Sequence, residues 1–300
     1  MLPPTISDAI EQYLDGYLAA RNLAPLTRLN YASDLKQLAR YLIERLGLER
    51  IDQVRPHHLD GFVVRLDERA LKGSSRRRKV ATIRSLFRFL AQQGTLPHDP
   101  SERLLPPERE REREERRVLT ETEYKRLLGA VQHEARDGAI IELLLQTGIR
   151  ESECVGIRLG DVHLPVRVSR EAGSVGALRV HGKGRKDRVV TLNYKACRAL
   201  KGYFAVRPKV DEEHLFLSKF ERPLGARSIR NLVAKYLREA GIAGASTHSL
   251  RHTFATHHVK KGTKLDVVRQ ALGHESLATT SVYVDLAREV MDKELQQNAL

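Results

Sequence analysis

The sequence predicts a mainly helical protein of two domains, the second of which contains a small antiparallel sheet. Apolar residues recur at three- and four-residue steps through most of residues 5–106 and again over much of the chain after residue 118, as they do in amphipathic helices. Two short β-rich runs flank a glycine-rich connection between Leu178 and Leu192, a pattern typical of a β-hairpin. Residues 107–117 carry alternating charges and no apolar side chain, so they are predicted to form the linker between the domains.

The N-terminal domain, residues 1–106, is predicted to contain two long amphipathic helices. The first ends at Gly47, where a left-handed cap is expected, and its apolar face consists of Tyr31, Leu35, Leu38, Leu42 and Leu46. The second extends from Ser75 to about Gln93. Its polar face is basic and carries Arg76, Arg77, Arg78, Lys79 and Arg84. Such a charge run is usually a solvated helix face, but basic residues near a helix start also suit the phosphates of a nucleic acid.

The C-terminal domain, residues 118–300, is predicted to begin with a capped helix, because Thr120 and Glu123 have the spacing of a capping box. A helix from Ala139 to Gln146 is expected to end at Gly148, which is placed for a C-terminal cap. Further helices are expected over residues 194–206, 227–240, 248–261 and 263–272.

The composition indicates a nucleic-acid partner. The formal net charge is +14 and the sequence pI is about 9.9, and such a surface attracts polyanions. The five basic residues of the second helix are therefore candidate DNA contacts, although a merely soluble basic protein would have the same composition. Two cysteines cannot form a disulfide framework, and neither a secretory leader nor a membrane-spanning apolar run is recognised. We expect a cytoplasmic protein that does not enter a membrane.

Five short motifs carry the candidate chemistry. They are Thr147–Glu153 (TGIRESE), Gly182–Gly184 (GKG), Thr247–His252 (THSLRH), Leu272–His274 (LGH) and Thr279–Tyr283 (TTSVY). Together they supply two arginines, a lysine, two histidines and a tyrosine, namely Arg150, Lys183, His248, Arg251, His274 and Tyr283. A phenol among phosphate-binding cations is a candidate nucleophile.

Phosphoryl transfer explains why these residue types belong together. Catalysis of this reaction is mainly positioning and neutralising charge on the phosphate oxygens, for which the guanidinium groups of Arg150 and Arg251 are suited. Forming the phenolate of Tyr283 at neutral pH costs about 4 kcal/mol, so the phenol needs cations or a base beside it. His248 is the candidate acid and base, since imidazole titrates near neutrality, and Lys183 is the candidate proton donor to the leaving 5′-oxygen.

No cofactor is expected. His248 and His252 have the i, i+4 spacing of two zinc ligands, which leaves a metal site as an alternative. The glutamate of the zinc motif is replaced by Ser249, however, and Arg251 would repel a cation. A nucleotide-binding P-loop and a paired-carboxylate magnesium site are not recognised in the sequence.

The motif set resembles the active site of tyrosine recombinases, and nearly the whole chain is similar to the Xer and integrase branch of that family. The resemblance implies a SAM-like, core-binding N-terminal domain and a covalent 3′-phosphotyrosyl intermediate at Tyr283. It also implies that Glu153 supports the site without reacting. The implied partner is double-stranded DNA with a specific recombination site, bound by a homo- or hetero-tetramer. Chromosome dimer resolution and integration or excision of a mobile element are both compatible with the resemblance.

Two other functions are compatible with parts of this pattern. A catalytically inactive accessory protein would keep the fold and bind DNA without cutting it. A type IB topoisomerase would use the same nucleophile chemistry but relax supercoils without pairing two specific sites.

Overall fold

The computed structural model describes residues 3–21, 23, 25–68, 71, 73–106, 117–171, 174–182 and 187–273. The chain folds as two compact units, Met1–Arg113 and Glu114–Leu300. Most of the predicted linker, residues 107–116, lies outside the described residues, so its role as the domain boundary stays a prediction. Among the described residues, no helix combines the length and the apolar character needed to cross a lipid bilayer.

The N-terminal unit is helical throughout its described part. Its α-helices are α1 (Ile6–Glu11), α2 (Leu18–Ala20), α3 (Pro25–Arg40), α4 (Pro56–Glu68) and α5 (Gly73–Gln92). A π-helical segment, Gln12–Tyr17, joins α1 to α2, another, Tyr41–Arg45, extends α3, and a 3₁₀ turn covers Ile51–Gln53. The two predicted helices correspond to α3 with its extension and to α5. Gly47 and Gly94 follow them with φ of 65° and 71°, a left-handed conformation that glycine adopts without strain.

The C-terminal unit is mostly helical and contains one small sheet. Its helices are α6 (Glu121–Val131), α7 (Ala135–Thr147), α8 (Glu151–Val155), α9 (Tyr194–Val206), α10 (Ala226–Glu239), α11 (Thr247–Lys260) and α12 (Leu265–Leu272), with a 3₁₀ turn at Leu159–Asp161. The capping box predicted for α6 is present, since the Glu123 amide donates to Thr120 Oγ1 over 3.2 Å and the Thr120 amide donates to Glu123 Oε2 over 2.9 Å.

The predicted start of α7 is wrong by four residues, because the helix begins at Ala135 and not at Ala139. Its first turn is polar, so apolar periodicity does not reveal it. Asp137 in that turn is 7% exposed and accepts a hydrogen bond from the Tyr236 hydroxyl over 3.0 Å. Tyr236 lies 99 residues from Asp137 in the sequence, so the two side chains meet only in the folded chain.

Three strands form the sheet in the order β1 (Val162–His163), β2 (Gly176–His181) and β3 (Asp187–Leu192), all antiparallel. The strands β2 and β3 are the predicted hairpin, and Val180 pairs with Arg188 in their register. The mainly helical fold with a small antiparallel sheet is therefore confirmed.

The C-terminal unit contains two clusters of buried apolar residues. The larger one extends from Leu119 to Leu250 and includes inward side chains of α7, α9 and the sheet. The smaller one joins α11 to α12 and consists of Phe254, Ala255, Val259, Val268 and Leu272. This smaller cluster fixes α12 beside the end of α7, where the candidate site lies.

Candidate active site

Arg150 lies between α7 and α8, two residues after the glycine that ends α7. Gly148 has φ 63° and closes α7 as the sequence predicted. The chain then turns into α8, whose Glu153 carboxylate accepts the Arg150 amide over 2.8 Å and the Arg150 Nη1 over 2.9 Å. The Arg150 side chain is 39% exposed and that of Glu153 is 7% exposed. Glu153 therefore holds a guanidinium that still reaches the surface.

Arg188 was missed by the sequence reasoning, although its side chain binds both oxygens of Glu153, whereas the side chain of Arg150 binds one. Its Nη1 and Nη2 donate to Oε1 and Oε2 of Glu153, each over 2.9 Å. Its Nε donates to the carbonyl of Ala271, near the end of α12, over 3.0 Å. A buried carboxylate needs a cationic partner, but 52 Lys and Arg residues in the sequence give no way to choose it.

Arg251 is 6% exposed and holds the ends of two helices together. Its Nη1 donates to the Gly148 carbonyl over 2.5 Å, and its Nη2 donates to the Leu272 carbonyl over 2.7 Å. Both carbonyls lie at helix C-termini, where backbone oxygens lack intrahelical donors and the helix dipole is negative. The guanidinium group donates a hydrogen bond to each of these carbonyls, and its positive charge offsets the negative end of both helix dipoles.

A close approach between helices makes Gly148 necessary. A Cβ atom at this position would lie 2.5 Å from Phe254 Cδ1 and 2.8 Å from Leu272 Cδ2. The side chains of α11 and α12 therefore pack directly on the α7 cap, which brings Arg150 and Arg251 into one region of the unit.

His248 and Arg251 lie three residues apart on α11 but have different environments. The sequence predicted that both point to one side of the helix. In the structure His248 is exposed, whereas Arg251 is buried. The zinc alternative also involved His248, and no group of three or more metal-binding side chains is found in the described part of the chain.

Three of the predicted site residues, Lys183, His274 and Tyr283, lie outside the described residues. The strands that flank the Lys183 turn are described, and a histidine bridges their ends. The His181 ring contacts Asp187 through Nδ1 and Asp161 through Nε2, each over 3.0 Å. These hydrogen bonds to Asp187 and Asp161 raise the pKa of His181 above its ordinary value.

The site has a surplus of positive charge. Burial raises the pKa of the Glu153 carboxyl, but hydrogen bonds from Arg188 and the Arg150 backbone, together with the two guanidinium charges, lower it more. Its pKa therefore lies below the ordinary glutamate value, and the carboxylate is ionised at neutral pH. Arg150 and Arg188 share Glu153 as their acidic partner, and the buried Arg251 binds the carbonyl of Gly148, two residues before Arg150. Two guanidinium groups on one carboxylate leave a net positive charge, which suits a region that accepts an anion.

Two family profiles match the sequence. The phage integrase family matches residues 117–289, which is more than half of the chain. The chain belongs to the phage integrase family. The phage integrase N-terminal SAM-like domain matches residues 10–94, which agrees with the helical N-terminal unit of this chain.

Proteins similar to this chain match it over nearly its whole length. Tyrosine recombinase XerC of Lactobacillus leichmannii is 30% identical, with 96% of this chain and 97% of that protein covered. Tyrosine recombinase XerC of Pelobacter propionicus is 34% identical, with 91% and 90% covered. The predicted membership of the tyrosine recombinases is confirmed, and the chain is a recombinase by family.

Solved structures with the same fold include two protein–DNA complexes. The XerH recombinase bound to palindromic difH substrate has a TM-score of 0.74 at 21% identity, covering 95% of this chain and 82% of that one. The lambda integrase tetramer bound to a Holliday junction has a TM-score of 0.73 at 18% identity, covering 93% and 77%. At these identities the likeness establishes the fold of this chain.

The basic run at the start of α5 is exposed only in part, because Arg78 is exposed, Arg76 and Arg77 are half-buried and Lys79 is buried. Lys79 is 4% exposed, and its Nζ donates to Asp34 over 2.7 Å and to Gln37 over 3.0 Å. Arg78 also pairs with Asp34, and Arg76 pairs with Asp67. The prediction that Lys79 faces solvent is wrong, because the buried carboxylate of Asp34 on α3 requires a cation. Asp34 lies 45 residues away in the sequence, so the pattern of α5 alone could not reveal the pair.

A basic groove lies farther along α5 in the N-terminal unit. It encloses about 460 Å³ and is lined by Tyr17, Arg21, Ala81, Arg84, Ser85, Arg88 and Gln92. Arg21 lies over the Tyr17 ring with its Cζ 4.2 Å from the ring centroid. In contrast to Arg78, neither Arg84 nor Arg88 has an acidic partner within the part of the chain that the structure describes. Of the predicted DNA contacts, Arg84 is the one that lines this groove.

Proposed function

We propose that this protein is a site-specific DNA recombinase that cuts and rejoins strands through a covalent 3′-phosphotyrosyl intermediate. The observation that carries the proposal is the cationic cluster in which Arg150 and Arg188 bind the Glu153 carboxylate and Arg251 binds the nearby carbonyl of Gly148. Membership of the tyrosine recombinases supports the assignment of the reacting groups. Arg150 is the member of the cluster with the exposure needed to meet a phosphate.

The proposed reaction transfers a phosphoryl group twice. The Tyr283 oxygen bonds to the scissile phosphorus while the bond to the 5′-oxygen breaks. His248 accepts the phenolic proton, and Lys183 gives a proton to the 5′-oxygen, which leaves as a hydroxyl. Arg150 binds the non-bridging oxygens, the buried Arg251 stabilises their negative charge through the electric field of its guanidinium group, and His274 adds a hydrogen bond there. A 5′-hydroxyl of another strand then attacks the phosphotyrosyl bond and releases Tyr283. One phosphodiester replaces another, so no nucleotide fuel is needed.

Covalent capture tests the nucleophile. On nicked DNA, where the short released strand diffuses away, we expect the native protein to accumulate a protein–DNA adduct and Tyr283→Phe to form none. Tyr194→Phe is the matched control, because Tyr194 is a half-buried tyrosine of the same unit at the start of α9. Adduct formation by Tyr283→Phe, or its absence in the native protein, would contradict the proposal. Relaxation of supercoiled DNA without two paired sites would favour a topoisomerase instead.

We infer that the partner is double-stranded DNA carrying a specific recombination site, bound by four protomers of this chain or of this chain and a second recombinase. The solved complexes of XerH with difH and of the lambda integrase tetramer with a Holliday junction support this inference. Because the proposed substrate is DNA with a recombination site, we also propose a cytoplasmic location. Genome-wide mapping of trapped adducts would separate chromosome dimer resolution, with one chromosomal site, from integration of a mobile element.

We propose that the basic groove of the N-terminal unit contacts DNA phosphates. Arg84 and Arg88 have no acidic partner among the described residues, so they can release counterions from DNA. Each phosphate neutralised contributes about −0.9 to the slope of log affinity against log salt. Replacing Arg84 and Arg88 with alanine should therefore make that slope shallower by about 2. Arg40→Ala is the control, since Arg40 is exposed and pairs with Glu44 over 3.8 Å. An unchanged slope in the double variant would place the phosphate contacts elsewhere.

A further inference from the structure

Arg188 uses every nitrogen of its guanidinium group within the protein. Nη1 and Nη2 bind the two oxygens of Glu153, and Nε binds the carbonyl of Ala271. The side chain is 15% exposed. A guanidinium occupied in this way is poorly placed to bind a substrate phosphate, so its effect on the reaction must pass through the groups that it holds.

The group that it holds most firmly is the Glu153 carboxylate. Oε1 of Glu153 accepts both Arg188 Nη1 and Arg150 Nη1, and Oε2 accepts both Arg188 Nη2 and the Arg150 amide. Each oxygen thus has one donor from each arginine. A two-point, planar contact of this kind fixes the orientation of the carboxylate, and the carboxylate in turn fixes the side chain of Arg150.

The same arginine fixes the end of α12. The bond from Nε to Ala271 lies beside the Arg251 bond to Leu272, so two guanidinium groups bind consecutive carbonyls of this helix end. Gly273 follows with φ 64°, and a Cβ there would lie 2.9 Å from Arg188 Nη1. The backbone therefore passes directly over the guanidinium, in the left-handed conformation that glycine permits.

We propose that Arg188 is a positioning residue of the recombinase: it orients Arg150 toward the scissile phosphate through Glu153 and keeps the end of α12 beside that site. The proposal rests on the proposed function and goes beyond it, because Arg188 touches none of the reacting groups. The Arg188 side chain links β3, on which it lies, to α8 through Glu153 and to α12 through Ala271.

The substitution Arg188→Lys tests this role with the positive charge retained. A lysine ammonium can neutralise Glu153, but it is a single point and cannot replace the planar contact and the bond to Ala271 together. We expect strand cleavage on normal DNA to slow by about 10²-fold, as misplacement of a catalytic group by about 1 Å does. The DNA dissociation constant should change by less than about threefold, since Arg188 is buried from the substrate. Arg158→Lys is the control, because Arg158 pairs with Glu213 over 3.0 Å in an exposed ion pair of the same unit.

A neutral substrate separates positioning from simple loss of folded protein. A methylphosphonate at the scissile position has no negative charge on its non-bridging atoms, so its cleavage depends less on Arg150. If Arg188 acts through Arg150, the rate of Arg188→Lys relative to the native protein should rise from about one hundredth on phosphate to within about threefold on methylphosphonate. Each protein is assayed on both substrates from the same preparation. A reduced fraction of folded protein would therefore lower both rates equally and would not change their ratio.

Two results would overturn the inference. One is native-like cleavage of normal DNA by Arg188→Lys. The other is an equal loss of rate on phosphate and methylphosphonate, which would make Arg188 a structural residue only. Both leave the proposed function standing as long as the native protein forms its adduct through Tyr283. Failure of the native protein to form that adduct would instead remove the proposed function itself.

Discussion

Arg251 donates to backbone carbonyls at the ends of two helices, so its replacement affects the fold as well as any reaction at the site. This double role could not be predicted from the sequence motif, which indicated a phosphate ligand. Arg150, in contrast, is partly exposed and bonded to one carboxylate. A loss of activity in Arg150→Ala is therefore easier to interpret than one in Arg251→Ala.

We predict that Arg251→Ala lowers the free energy of unfolding by about 3 kcal/mol, because the buried carbonyls of Gly148 and Leu272 lose their donors. Denaturant unfolding of the variant and the native protein measures the difference. Arg269→Ala is the control, since Arg269 lies on α12 and is only half-buried, and it should change the free energy by less than about 0.5 kcal/mol. A similarly small effect for Arg251→Ala would mean that these two bonds contribute little.

The residues of the candidate site differ in how far the sequence reveals them. Arg150 and Glu153 share a short motif, and the i, i+3 spacing already places them on one turn. Arg188 and Glu153 are 35 residues apart, and the burial of Lys79 depends on Asp34 in another helix. Ion pairs between residues of different helices and strands form only in the folded protein. A sequence with many arginines does not specify which arginine binds a given carboxylate.

At the level of elements, helix ends were easier to predict than short elements. Glycines in the left-handed conformation end α3 with its extension, α5 and α7, and this preference is local. The helix α8 has five residues and β1 has two, which is too short for a periodic pattern. The hairpin β2–β3 was predicted from its composition, but the bridge that His181 makes across its end was not.

The bridge at the end of the hairpin gives a prediction about pH. The pKa of His181 is raised in the folded protein by Asp187 and Asp161. A histidine with a raised pKa stabilises the fold fully below its unfolded pKa of about 6.5 and loses this contribution as the pH rises through the folded pKa. His181→Gln should therefore lower the free energy of unfolding more at about pH 5.5 than at about pH 9.

Thermal or denaturant unfolding at the two pH values measures this difference. His163→Gln is the matched control, because His163 is an exposed histidine on β1 of the same sheet. Equal effects of His181→Gln at both pH values would show that the bridge to the two carboxylates does not depend on the charge of the ring.

At the scale of the whole molecule, the two-domain organisation and the partner class followed from bulk properties. Each unit has its own buried apolar core, formed by one cluster in the N-terminal unit and two in the C-terminal unit, in keeping with a chain of 300 residues. The net charge indicated a polyanionic partner without locating it. Only the structure separates the basic residues of α5 into those paired inside the unit and those that line a groove, because charge counts carry no information about pairing.

The small apolar cluster between α11 and α12 has a consequence for how the enzyme responds to heat. Eight residues make a marginal helix by themselves, and α12 is held by this cluster and by two guanidinium groups. Local opening of such a segment requires less free energy than global unfolding. On gradual warming, DNA cleavage should therefore cease several degrees before circular dichroism registers the loss of helices, and it should return on cooling. Simultaneous loss of DNA cleavage and of the circular dichroism signal would mean that α12 unfolds only together with the other helices.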